Sequence, residues 1–225
     1  MTFAKKVIDF YKNIEVPSNL PEGVGVLQPF NESEVTSIVN EFYNKYYKDN
    51  KDRTFLIGIN PGRFGGGATG IPFTDPIRLK EVIGIDNSFD QKAELSSKFI
   101  YQMIERLGGP EPFYRNFYFT SVSPLGFVKD GKNLNYYDIK ELQQGLEQYI
   151  VDHLMDQIAF GSRPIAYSLG KGQNIKYLKW LNKKYELFED IRPLPHPRWV
   201  MQYRLKRLDE FIEEYFKALS QHLNN

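Results

Sequence analysis

The chain has 225 residues, 41% of them hydrophobic and 25% charged, with a formal net charge of +1. These are ordinary globular values for one domain with a sizeable core. It contains no Cys, which removes disulfides, iron–sulfur clusters, thiolate zinc sites and thiol catalysis. No stretch approaches the ~20 apolar residues of a membrane span, and the charges scattered through MTFAKKVIDFYKNI leave no signal-peptide core, so a cytoplasmic protein without a membrane partner is expected.

In chain order, residues 2–13 read as a helix with Phe3, Val7, Phe10 and Tyr11 on one side. NESEVTSIVNEFYNKYYK starts on a cap-like Asn31 or Ser33 and continues as a second helix. RTFLIGI (53–59) is short and continuously apolar, the mark of a buried strand. It runs into GINPGRFGGGATGIPFTDP (58–76), with six glycines and three prolines in nineteen residues. Next comes a helix carrying Leu95, Phe99, Met103, Ile104 and Leu107 at helical spacing and stopping at Gly108–Gly109. NFYFTSVSPLGF reads as a strand entering a loop at Pro124, and 138–159 as one long helix. RPIAYSLG is a strand, GQNIKYLKWLNKKY a helix, and ELFEDIRPLPHPRW a strand ending in a proline-broken loop. A last helix over MQYRLKRLDEFIEEYFKALSQHL turns Leu205, Leu208, Phe211, Ile212, Tyr215 and Leu219 inward. Strands alternating with helices predict a three-layer α/β/α sandwich around a mostly parallel central sheet, in one domain over residues 1–225. Such sheets bind ligands beyond the carboxyl ends of their strands. The loops 60–76, 121–128 and 192–200 sit at such ends and are expected to converge.

Three segments carry candidate chemistry. Gly65, Gly67 and Gly70 satisfy G-x-G-x-x-G, but NPGRF separates them from the strand and Pro72 denies them an immediate helix, against a dinucleotide site. No Gly-Lys-Ser/Thr makes a P-loop. That leaves Asn60 at the strand tip and Phe73, an apolar ring in a loop of small residues whose glycines admit a flat ligand to the backbone. The second segment, IRPLPHPRWVMQYRLKR, holds Arg192, His196, Arg198, Arg204, Lys206 and Arg207 and no acid. Its prolines favour an extended, stiff loop. The third is charge distribution. Between Gln157 and Leu208 eleven Lys and Arg face three acids, a net of +8, which leaves −7 for the rest. This marks a basic C-terminal face. His153, spaced with Leu146, Ile150 and Leu154, reads as structural, and His222 as inert. Three dispersed histidines without H-E-x-x-H argue against a metal site, and no cofactor is expected. Asp75 reads as the cap of a helix beginning PIRLKEV.

GINPGRFGGGATGIPF followed far downstream by HPR resembles the uracil-DNA glycosylase superfamily. It is most similar to the single-strand-selective monofunctional uracil-DNA glycosylases, whose first motif reads G-M-N-P-G-P-F-G-x-x-x-T-G-V-P-F. Gly58, Asn60, Pro61, Gly62, Phe64, Gly65, Thr69, Gly70, Pro72 and Phe73 match it without a gap. The resemblance implies a uracil-DNA glycosylase-like fold and a monofunctional enzyme of base excision repair. It would flip out and hydrolytically release uracil or other deaminated bases. The partner implied is DNA, single-stranded or with a flipped lesion base, bound by a monomer. By the same resemblance Asn60 would hold the attacking water or stabilise the opening sugar, and His196 would hydrogen-bond the base oxygen that gains charge. Gly62, Phe64, Phe73 and Ser121 would bind the base, Phe73 by stacking. Arg63, Arg198, Trp199, Gln202, Tyr203 and Arg204 would contact DNA, with 198–203 as a loop wedged where the base left.

The pattern departs from the family in two places. HPRW stands where the family has H-P-S-P-R-N, and SVSPL where it has N-H-C-P-L. Aligning Pro124 and Leu125 puts Ser121 in the slot of the Asn that reads the base edge, with Asn116 as a substitute five residues upstream. A rotating hydroxyl cannot present the fixed donor–acceptor pair of an amide, so xanthine or hypoxanthine join uracil as expected substrates. Two other readings stand beside this one: a non-catalytic nucleic-acid-binding member of the superfamily, and a small-molecule nucleotide-binding protein using the glycines.

Overall fold

The computed structural model describes residues 1–223. Four strands form a parallel sheet in the order β3-β2-β6-β7. They are β2 (Thr54–Gly58), β3 (Phe117–Ser121), β6 (Ile165–Leu169) and β7 (Asp190–Leu194). The central β2 and its neighbour β3 are buried at all five positions, as continuously apolar strands covered on both faces should be. A second, antiparallel sheet in the order β1-β4-β5 joins β1 (Gly25–Leu27), β4 (Gly126–Lys129) and β5 (Lys132–Leu134).

Eleven helices occur among the described residues: α1 (Phe3–Lys12), α2 (Ser33–Tyr46), α3 (Gly66–Thr69), α4 (Pro76–Arg78), α5 (Leu95–Arg106), α6 (Pro110–Asn116), α7 (Lys140–Gly145), α8 (Glu147–Ile158), α9 (Gln173–Tyr185), α10 (Pro197–Tyr203) and α11 (Leu208–Leu219). Neighbouring residues of β3 show the two layers they form, because successive side chains leave a strand on opposite faces. Tyr118 meets Phe3 of α1 and Phe160 just past α8, whereas Phe117 meets Phe113 of α6 and His222 beyond α11. None of the described helices is long and apolar enough to cross a membrane.

At the amino end of the sheet Arg53 is wholly buried, with its guanidinium between the rings of Phe3 and Tyr47, 4.6 and 4.7 Å from their centroids. It donates to the carbonyls of Tyr114 and Lys51 and pairs with Asp49 at 2.9 Å.

Several expectations are corrected. The span 140–158 is two helices, broken between Gly145 and Glu147. Residues 198–203 are not an extended loop but helix α10, with Pro197 at its first turn, where a missing N–H costs nothing and the fixed φ fits. The last helix starts only at Leu208, which leaves Leu205 56% exposed; Leu95, at the first position of α5, is exposed too. His222 is part of the packing: it is buried, and its Nε2 lies 3.1 Å from the Tyr167 hydroxyl. His153 is structural, with Nδ1 2.7 Å from the Tyr149 carbonyl and its ring against Phe10.

Candidate active site

The carboxyl ends of all four parallel strands open on one cleft of about 930 Å³. β2 delivers Asn60, β3 ends on Ser121, β6 leads into Gly170 and β7 into His196, and all four residues line it. Of the three segments expected to converge as loops, 60–76 lines the cleft, 192–200 reaches it as the end of β7 and the start of α10, and 121–128 contributes only Ser121, the last residue of β3.

Asn60 is held at both ends of its amide. Its Nδ2 donates to the Leu134 carbonyl at 3.1 Å and its Oδ1 accepts from the Tyr136 amide at 3.0 Å. One amide hydrogen and one lone pair remain for a ligand. Phe73 has φ 56, a left-handed backbone uncommon for a bulky residue. Its ring rests on Phe119, with centroids 5.2 Å apart. Gly58 is required beneath it, because a Cβ there would stand 2.7 Å from the Phe73 ring and 3.3 Å from the Ser121 hydroxyl. Phe73 and Ser121 therefore both lie against Gly58 and line the cleft there. Ser121 is buried, and its hydroxyl has no hydrogen-bond partner among the described residues.

His196 caps α10, and its Nδ1 accepts from the Arg198 amide at 3.2 Å. Burial, and then the positive charge of Arg198, push its pKa down to about 4. The ring is therefore neutral at pH 7. With Nδ1 accepting, the proton is assigned to Nε2, a donor with no protein partner in a residue that lines the cleft.

The profile of the uracil DNA glycosylase superfamily matches residues 45–220. The chain belongs to this superfamily. The crystal structure of wild-type SMUG2 from Pedobacter heparinus is similar over the whole length of both chains, with 42% identity and a TM-score of 0.95. The superfamily resemblance read from the two motifs is borne out, and so is the α/β fold with its parallel central sheet.

Other residues of this superfamily member take their places around the four. Gly62 lines the cleft behind Asn60. Phe64 lies at the mouth, 40% exposed, with Arg63 on its ring at 4.6 Å. Arg63 is anchored to the β4–β5 hairpin: its amide donates to Asn133 and its guanidinium to the Gly131 carbonyl. Arg198, Trp199, Gln202 and Tyr203 edge the mouth from α10, with Trp199 and Tyr203 exposed. Arg204 stands outside the lining, its guanidinium 4.8 Å from the Trp199 ring centroid.

Two alternatives disappear. Asn116 sits at the opposite end of β3 from Ser121, roughly 16 Å along the strand, bonded to the Pro112 and Leu223 carbonyls. Asp75 is fully buried and acts as the N-cap of α4: it accepts from the Arg78 and Glu94 amides, each at 2.8 Å, and pairs with the Arg78 side chain.

The sequence reading passes over Asn174 and Glu94, which also line the cleft. Asn174 donates to Ile57, Gly58 and Ser168 and accepts from the Tyr136 hydroxyl, so its amide is spent on holding α9 against the strand ends. Its position just beyond β6 is the only signal that could have marked it.

Proposed function

We propose that this protein is a monofunctional DNA glycosylase acting on deaminated bases, with uracil, xanthine and hypoxanthine as the substrate class. The base must leave the stack before its glycosidic bond can be reached, at a cost of a few kcal/mol. Stacking on Phe73 recovers roughly 1–3 kcal/mol of that. The exposed rings of Trp199 and Tyr203 on α10, at the mouth of the cleft, would supply the wedge into the vacated stack. As the bond breaks, its electron pair goes to the base. A neutral His196 donating from Nε2 to a base oxygen then helps mainly in the transition state. C1′ becomes cationic and needs only a positioned water, which the free hydrogen and lone pair of Asn60 can hold. Water oxygen ends on C1′, and the free base leaves an abasic sugar.

The observation that carries this reading is the meeting of Asn60, Phe73, Ser121 and His196 in one cleft, with the donor of His196 unspent. Two lysines, Lys132 and Lys171, also border the cleft, and Lys171 is ion-paired to Glu214. The test is base release from oligonucleotides carrying uracil, xanthine or hypoxanthine, with an abasic control and with Asn60→Ala and His196→Ala in parallel. Unchanged release in both variants would sink the reading, and strand nicking before alkali treatment would overturn its monofunctional part. A second reading, DNA binding without chemistry, draws on Asn60, whose amide is half committed to the backbone. It expects salt-sensitive binding and no release from any of the three substrates.

A further inference from the structure

Among the described residues, one acidic side chain lines the cleft, that of Glu94. It stands immediately before α5 and is half-buried. Its carboxyl lies on the glycine turn that follows Asn60: Oε2 is 2.1 Å from where a Cβ on Gly65 would stand, and Oε1 is 3.1 Å from that position on Gly62. The turn is closed beneath it by the Gly65 and Gly67 amides, both bonded to the Gly62 carbonyl. The Glu94 backbone amide is spent on Asp75, but neither carboxyl oxygen has a donor among the described residues. The charges around it are Asp75 with its partner Arg78, Arg198 on α10, and Arg63 and Lys92 over the ring of Phe64. Burial, and then the charge of Asp75, push the carboxyl up to about 7, with Arg198 opposing. Near neutral pH a large share of molecules therefore carries an O–H donor here.

A base lying on Phe73 with its glycosidic bond at Asn60 turns its far edge toward Ser121. With His196 at the O2 or N3 side of the ring, the opposite edge beside the glycosidic bond, which holds C6 and C5 of uracil or C8 and N7 of a purine, would face the turn at residues 62–65. On a purine that edge carries N7, a hydrogen-bond acceptor; on uracil it carries only C–H groups.

We propose that Glu94 is a second acid of this site, one that serves purine substrates: as a neutral carboxyl it donates its proton to N7 of a flipped deaminated purine while the C1′–N9 bond breaks. The bond's electron pair leaves with the purine, which departs protonated on N7. Water adds to C1′, and the proton it releases returns to the Glu94 carboxylate. A base protonated at N7 is a better leaving group, and a positioned acid contributes typically 10²–10⁴-fold. The proposal rests on the glycosylase reading above.

The test compares hypoxanthine and uracil release by the full chain under single-turnover conditions, from pH 5.5 to 8.5. In wild type the hypoxanthine-to-uracil rate ratio is expected to fall above about pH 7, toward tenfold per unit. Glu94→Gln keeps the size of the side chain but not the acid. It should lower the ratio at least a hundredfold at pH 6 and abolish its pH dependence. A substrate change needs no folded variant: 7-deazahypoxanthine, with C–H in place of N7, should slow wild type by the same factor and slow Glu94→Gln no further. A ratio unmoved by the substitution, equal losses on hypoxanthine and 7-deazahypoxanthine in both proteins, or release of uracil without any purine overturns the role of Glu94. No release of any base by wild type overturns the glycosylase reading itself.

Discussion

The two ends of the parallel sheet hold their polar side chains differently, one packed among rings and carbonyls and the other bordering an open cleft. At the amino end, Arg53 commits its Nε and Nη1 to two carbonyls and one carboxylate and its plane to two aromatic faces, with Nη2 left to the rings. At the carboxyl end, the Ser121 hydroxyl, the His196 Nε2 and the Glu94 carboxyl face a cleft without protein partners. Those atoms border an open cleft that water can enter, so their hydrogen bonds can be handed from water to a ligand. The contrast separates residues packed into the sheet from residues that a ligand in the cleft could reach.

Substitutions at the two ends should therefore fail differently. The largest expected effect is on stability, from Arg53→Ala, which leaves two rings and two carbonyls without their partner and should cost about 3–5 kcal/mol. Urea unfolding reads this, and base release per folded molecule should hardly move. A comparable loss of base release from the folded fraction would blur the contrast. At the other end His196→Ala should slow release by roughly 10²–10³, about 2.7–4 kcal/mol of barrier. It should cost only about 1 kcal/mol of stability through the lost cap of α10.

The pH dependence of stability tests the carboxyl end more finely. His196 stays neutral down to about 4 in the fold, against an ordinary 6.5. Between those values the unfolded chain binds the extra proton, so stability rises with pH. Glu94 runs the other way. Its ordinary 4.5 becomes about 7 in the fold, so the folded chain holds the extra proton and stability falls as pH rises across that window. The two slopes oppose each other between about 4.5 and 6.5. Glu94→Gln removes one of them, and its stability relative to wild type should climb by on the order of 3 kcal/mol from pH 4.5 to 7. Unfolding midpoints measured at both pH values check this, and parallel curves would contradict the burial of that carboxyl. The smallest effect is expected at the rim. Trp199→Ala should weaken binding of a single-stranded oligonucleotide by roughly 1–3 kcal/mol with little change in salt slope, because it removes a ring and no charge. Fluorescence anisotropy at several salt concentrations reads both quantities.

The same contrast explains what could be read without coordinates. The apolar run of β2 announces a strand, and Asn60 and Phe73 stand out beyond it as an amide and a ring in a loop of small residues. Helix α10 was hidden by its prolines. Local stiffness suggested an extended loop, but Pro197 is placed at the one helical position that favours it. The β4–β5 hairpin was legible and passed over. Asp130–Gly131, both at positive φ, is a two-residue turn sequence of the strongest kind. Glu94 could not have been found, because QKAELSS reads only as the start of a helix and the contact with Gly62 and Gly65 is tertiary.

The clasp between Asn60 and the segment after the hairpin bears on how such a protein can evolve. An aspartate would activate water better, and a single nucleotide change separates the two residues. Yet aspartate has no amide hydrogen for the Leu134 carbonyl, which would then face a carboxylate oxygen across the distance now spanned by a 3.1 Å hydrogen bond. Because that acceptor is a backbone carbonyl, no substitution at Leu134 removes it, and an aspartate at position 60 would meet it unless the segment moved. Under the glycosylase reading, the pace of the chemistry is set partly by a peptide group that never meets the substrate.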